Sequence, residues 1–172
     1  MYVYYGGGGI FIKFPDGSTI RKSEATGSLF TNYRAEASAL LTAAETLIQC
    51  DNLLDHVVFL TDCRSVLQSL QTRERDQILQ DIKKAHQTLS KKTTLVLQWI
   101  PSHCGVFGNE EADKLSKAGS KQEQTDHPVS LGEVKSIFRS HFRTKWKERL
   151  HVQTQRIAYT AWREPKELPS SD

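Results

Sequence analysis

The sequence predicts an α/β fold: a mixed sheet, made of an antiparallel hairpin plus parallel strands, flanked by helices. Three observations lead there. Gly9–Phe14 alternates in character and meets the turn signal Pro15-Asp16-Gly17-Ser18, after which Thr19–Glu24 can return as the second arm of a hairpin. Two short, continuously apolar runs, His56–Leu60 and Thr94–Ile100, have the character of strands covered on both faces. The segments around these runs carry apolar residues at helical spacing.

Asn32–Ile48 is a helix by this criterion, with apolar residues at 33, 37, 40, 41, 44, 47 and 48. Thr61–Gln87 is helical with a break near Gln71–Arg75, and Pro101 stops the strand before it. After the loop Ser102–Gly108, Asn109 opens a helix whose first turn holds Glu110, Glu111 and Asp113, where acids complement the helix dipole. Gly119–Ser130 is polar, contains a proline and reads as a linker. Ser130-x-x-Glu133 then has the form of a capping box. Val134, Ile137, Phe138, Phe142, Trp146 and Leu150 mark an apolar stripe, and Lys135, Arg139, Arg143 and Lys147 mark a basic one. The expected division is a domain at 1–120 with a truncated first strand, a linker at 121–130, and a basic helical appendage and tail at 131–172.

Composition narrows the classes of function. The chain has 172 residues, 38% hydrophobic and 25% charged, which excludes a disordered or fibrous chain. No stretch has the apolar length of a bilayer span, and the start, Met1-Tyr2-Val3-Tyr4-Tyr5 followed by glycines, lacks the features of a signal peptide. Cys50, Cys63 and Cys104 are odd in number and lack C-x-x-C spacing, which points to a reducing, intracellular compartment without distinguishing nucleus from cytoplasm. The net charge of +3 is uneven: residues 1–120 hold 13 Lys and Arg against 13 Asp and Glu, and residues 121–172 hold 10 against 7. A local basic patch of this kind can bind a polyanion.

Three acids occupy positions suited to chemistry. Glu36 lies at the edge of its helix's apolar stripe, Asp62 directly follows the strand His56–Leu60, and Asp113 lies one turn into the helix after the second buried strand. Ligands gather beyond the carboxyl ends of parallel strands. Each acid also has an ordinary structural role open to it, as edge charge, helix cap or dipole complement. Their neighbourhoods are more specific: Thr31-Asn32-Tyr33-Arg34-Ala35-Glu36, Thr61-Asp62-Cys63-Arg64-Ser65-Val66, and Ser102-His103-Cys104-Gly105-Val106-Phe107-Gly108-Asn109-Glu110-Glu111-Ala112-Asp113.

In wording, order and placement these segments resemble the type I ribonuclease H family, over about residues 1–120. Together with the appendage they look most like the ribonuclease H domain attached to reverse transcriptases of non-LTR retrotransposons. The resemblance implies a five-stranded mixed sheet and endonucleolytic hydrolysis of the RNA strand of RNA–DNA hybrids. It implies Mg²⁺ as cofactor, with Mn²⁺ as a substitute, held by Glu36, Asp62 and Asp113, since oxygen-only donor sets suit hard cations. It implies that His103 assists proton transfer or product release, and that Thr31 and Asn32 touch the hybrid. The partners it implies are the hybrid and a reverse transcriptase domain in a longer polyprotein, with no membrane.

The chain departs from the family in one place. The family's fourth carboxylate is an aspartate in the first strand, but here Tyr4-Tyr5 runs straight into Gly6–Gly9. The chain reads as if a dozen or so residues were removed. Asp16 is no replacement, because seven residues from Gly9 at strand rise carry it roughly 23 Å away, to the far end of the hairpin. The expectation is impaired turnover. The alternatives are a catalytically inactive nucleic-acid-binding relic of a retroelement polyprotein, and a remnant that folds poorly. Trp99 is expected in the core, Trp146 and Trp162 either pack or stack on bases, and Cys63 and Cys104 match no zinc spacing.

Overall fold

The computed structural model describes residues 5–28, 31–50, 55–72, 76–124 and 131–163. Strands β1 (Tyr5–Lys13) and β2 (Thr19–Ser28) form the expected antiparallel hairpin. Its turn is closed by Phe14 N–H donating to Ser18 O at 2.9 Å, and by Asp16 Oδ1 accepting from Ser18 N at 2.8 Å. Gly17 takes the positive φ of 87° that the turn demands. Asp16 is exposed at this tip, and hydrogen bonds from Ser18 lower its pKa.

β1 begins four residues earlier than the alternation indicates. The glycine run is itself strand, with Gly6 opposite Gly27, Gly7 opposite Ala25, Gly8 opposite Glu24 and Gly9 opposite Ser23. Its composition follows from what lies on it. Helix α4 (Phe107–Gly119) rests its backbone directly on β1. A Cβ at Gly9 would fall on the Ala112 carbonyl oxygen, and one at Gly7 on the Ser116 carbonyl oxygen. Ser116 Oγ donates to Gly7 O and Ser23 Oγ donates to Leu115 O, both at 2.7 Å, so the close approach also satisfies polar groups.

Helix α1 (Asn32–Ile48) matches the predicted bounds. Thr31 is its N-cap, accepting from Arg34 N at 3.3 Å. The helical stretch after β3 (His56–Thr61) breaks where expected, into α2 (Arg64–Gln71) and α3 (Gln77–Leu89). Asp76 caps α3 through Ile78 N and ties it to α1 through Arg34 Nη1, both at 3.2 Å. Leu40, Ala44 and Leu47 of α1 meet Leu79, Ile82 and Leu89 of α3 and Phe59 of β3 in the core.

β3 pairs in parallel with β4 (Thr94–Trp99), from His56 opposite Thr94 to Thr61 opposite Trp99. One expectation fails here. The pair is covered on one face only: Val58 is 56% exposed, Leu60 48% and Val96 44%. Helix α4 packs on the hairpin and leaves this face bare. Trp99, expected in the core, is 43% exposed at the carboxyl end of β4, where its indole Nε1 donates to the Asp62 carbonyl.

The five-stranded sheet that the resemblance implies is also absent among the described residues. The hairpin and the parallel pair are separate two-stranded sheets, because no described strand lies between β1 and β3 to join them. The chain divides into two compact units, Met1–Ser130 and Leu131–Asp172. The second contains α5 (Leu131–Arg163), on which Phe138 and Phe142 stack at 6.3 Å and lie exposed together with Trp146 and Leu150. The capping-box residue Ser130 and the residue Trp162 lie outside what is described of side chains.

Candidate active site

Three elements deliver the three acids to one region. Glu36 projects from the second turn of α1, Asp62 follows the last residue of β3, and Asp113 sits in the second turn of α4. Glu36 is half-buried and accepts a hydrogen bond from Thr61 Oγ1 at 3.5 Å. Its pKa is pushed up to about 7, first by burial, then by the negative charges of Asp62 and Asp113, with Thr61 opposing. Charges from three different elements therefore meet at this carboxylate.

Asp62 is held from its backbone. Its carbonyl accepts from the Trp99 indole Nε1 at 3.1 Å and from Arg64 N at 3.1 Å. Thr61 Oγ1 also accepts from Cys63 N at 3.1 Å, so one hydroxyl links the turn at Asp62 to Glu36. His103 stands in the loop before α4 with φ 54°, a left-handed conformation uncommon for a residue with a side chain. Its Nδ1 lies 3.8 Å from Asp113 Oδ2, and its side chain is 84% exposed. Of the residues expected to touch nucleic acid, Thr31 is engaged as the cap of α1, and Asn32 is exposed beside it.

The donor chemistry fits a hard divalent cation, since all three acids offer oxygen and repel one another without one. The arrangement is open, however. Among the described residues no three His, Cys, Asp or Glu side chains lie close enough together to bind one metal ion. Thr61 and Trp99 are positioning residues that sequence reasoning did not single out. Thr61 adjoins Asp62 and was visible as a neighbour, whereas Trp99 needs the parallel register of β3 and β4 to reach Asp62. Cys63 and Cys104 are free thiols, and Cys104 Sγ donates to Pro101 O at 2.9 Å, as befits a loop residue.

Residues 4–121 match the family model described as RNase H. Among solved structures, RNase H1 from the halophilic archaeon Halobacterium salinarum NRC-1 is similar with a TM-score of 0.50 and 22% sequence identity, over 63% of this chain and 80% of that one. The N-terminal RNase H domain of rv2228c from Mycobacterium tuberculosis, solved as a fusion with maltose binding protein, gives a TM-score of 0.49 and 16% identity, over 69% and 94%. At such identity the archaeal likeness speaks for the fold. No described helix is long and apolar enough to cross a membrane.

Proposed function

Because the chain belongs to the ribonuclease H family, a family of hydrolases, we propose that it acts on RNA–DNA hybrids and cuts the RNA strand endonucleolytically, with impaired turnover. The observation that carries this reading is the delivery of Glu36, Asp62 and Asp113 to one region by α1, the end of β3 and α4, where burial and then the two neighbouring charges raise the proton affinity of Glu36. Glu36, Asp62 and Asp113 are the oxygen donors that would hold Mg²⁺ or Mn²⁺, and they would have to draw closer together than they stand without a cation. A divalent cation there would supply an activated water and charge neutralisation at the leaving oxygen.

The chain's own residues have distinct tasks. Thr61 fixes the Glu36 carboxylate through Oε2. At neutral pH Glu36 is partly protonated and must shed that proton to act as a ligand. The exposed imidazole of His103, beside Asp113, can carry a proton between the site and solvent. Asn32 would meet the hybrid's sugar edge, where the 2′-hydroxyl distinguishes RNA from DNA. Impairment follows from the donor count, since three carboxylates must serve where the family uses four.

The openness of the acid trio favours a second reading, a nucleic-acid-binding relic without turnover. The deciding assay uses a labelled RNA–DNA hybrid with Mg²⁺ or Mn²⁺, alongside Glu36→Gln. Metal-dependent cutting well below an ordinary ribonuclease H rate, abolished by the substitution, supports the nuclease. No cutting, with hybrid binding that weakens steeply as salt rises, supports the relic. Cutting at the ordinary rate would refute the impairment. The retroelement origin rests on the wording of the three acid segments and on the basic stripe of α5. It is checked by looking for a reverse transcriptase in frame with this chain's gene.

A further inference from the structure

We propose that α5 is a binding site for a single-stranded polynucleotide, its aromatic side chains stacking on unpaired bases while its arginines and lysines pair with the phosphates. The helix lies outside residues 4–121, the part of the chain that matches the RNase H family model. Phe138, Phe142, Trp146 and Leu150 recur at every fourth residue, and all four are exposed. The Phe138 and Phe142 rings are near-parallel, with planes 22° apart and centroids at 6.3 Å. Between Phe138 and Leu150 stand five basic residues, Arg139, Arg143, Lys145, Lys147 and Arg149, against one acid, Glu148. All five are exposed, and none is held in an ion pair among the described residues.

The winding of these residues selects the occupant. At about 100° per residue, every fourth position advances about 40° around the axis, so from Phe138 to Leu150 the aromatic ridge turns through about 120°. Arg139, Arg143 and Lys147 follow one residue behind and wind with it. Arg149 comes seven residues after Phe142, within about 20° of it, so cations also fall among the rings. A bilayer requires an unbroken apolar face, and charges interleaved with the rings deny it one. A second copy of α5 requires an apolar seam at 3.5-residue spacing, and would set basic ridge against basic ridge. An acidic peptide answers the charges and leaves the rings uncovered.

A single polynucleotide strand meets both demands. It is flexible enough to follow the spiral, it carries a negative charge at every nucleotide, and every unpaired base offers a π-face. Successive ridge residues are separated by roughly 6 Å of rise, against about 3.4 Å between the stacked bases of a duplex strand. A stretched single strand opens to the wider spacing, whereas a duplex keeps its base faces covered. Phe138, Phe142 and Trp146 thus take about three bases, with Arg139, Arg143 and Lys147 alongside for the phosphates. The ligand differs from the hybrid, since its bases must be unpaired, and the proposal is independent of turnover at Glu36, Asp62 and Asp113. Its consequence is tethering: an unpaired stretch held by α5 raises the effective concentration of the rest of that polynucleotide around the chain's first unit.

The test uses the whole chain in EDTA, so that no divalent cation bound at the acid trio contributes, and a fluorescein-labelled thymidylate decamer read by anisotropy. The expected result is saturable binding, weakened at least tenfold by the combined substitutions Phe138→Ala, Phe142→Ala and Trp146→Ala, with the slope of log K against log salt unchanged. Arg139→Gln, Arg143→Gln and Lys147→Gln together should make that slope shallower by about 2, from three phosphate contacts at about 0.7 each. An abasic decamer should bind the unaltered chain at least tenfold more weakly than thymidylate does. This comparison uses the unaltered protein and so stands even where a variant loses its helix. Paired with its DNA complement, thymidylate should lose its sensitivity to the aromatic substitutions. Equal binding of the thymidylate and abasic strands, or an aromatic variant within threefold of the unaltered chain, would reduce α5 to a generic polyanion patch and overturn the proposal. Absence of binding overturns it as well. Aromatic-dependent binding of phosphatidylserine vesicles, or aromatic-dependent dimerisation seen by sedimentation, with thymidylate bound weakly, would assign this face to lipid or to a second copy and overturn it likewise.

Discussion

The hairpin and the parallel pair are both two-stranded, and both line one cavity of about 520 Å³, yet they are stabilised by opposite means. The hairpin is covered by close approach: α4 rests backbone on backbone against β1, with hydroxyls of Ser116 and Ser23 bridging the contact. The parallel pair is covered by volume: Phe59 meets Leu79, Ile82 and the helices behind them on one face, while Val58 and Val96 stand bare on the other. Burial by close approach is intolerant of added atoms, and burial by volume is intolerant of removed ones.

The largest expected effect tests the first half of that contrast. Gly9→Val drives a branched side chain into the Ala112 carbonyl and is expected to lower unfolding free energy by about 4 kcal/mol or more, read from urea titrations. A loss under 1 kcal/mol would mean that α4 can lift away from β1 and that the close approach is dispensable.

Deletion should separate the two faces of the parallel pair's surroundings. Leu79 is fully buried, so Leu79→Ala should cost about 3 kcal/mol in the same titration, while Val58→Ala should cost about 0.5 kcal/mol or less. Equal losses at the two sites would show that something covers Val58 in solution.

The smallest effect is conditional on pH and sits at the junction of the two halves. Glu36 lines the shared cavity with β1 and bonds Thr61 of β3. Its pKa rises from 4.5 to about 7 on folding, so the unfolded chain releases this proton first. Stability tied to Glu36 is therefore intact below pH 4.5, declines as pH rises, and is lost above about 7. Without divalent cations, Glu36→Gln should be neutral near pH 4 and stabilising by up to about 3 kcal/mol at pH 8. A difference that does not vary with pH would remove the electrostatic account of the site.

Much of this was legible before any coordinates. α1 could be bounded from spacing alone, because its buried stripe recurs at helical period, and Pro101 marks where the β4 run ends. Glycines have no side-chain pattern, so Gly6, Gly7 and Gly8 were not read as strand although they are. Apolar runs signal burial without saying on how many faces, which is why β3 and β4 were expected to be covered twice. The acid trio was legible from three local segments. The supports of Glu36 and Asp62 were not, because Thr61 Oγ1 and the Trp99 indole reach them only through contacts between elements distant in sequence.

The glycine strand also bears on how this gene can drift. Every glycine codon begins with two guanines, and any substitution at either of those positions encodes a residue with a Cβ or a stop. Third-position changes are silent. At Gly7 and Gly9, where α4 leaves no room for a Cβ, single-nucleotide variation thus divides into synonymous changes and damaging ones. The bare valines of the parallel pair can vary with little consequence for folding, so the two halves of one unit should accumulate coding changes at very different rates.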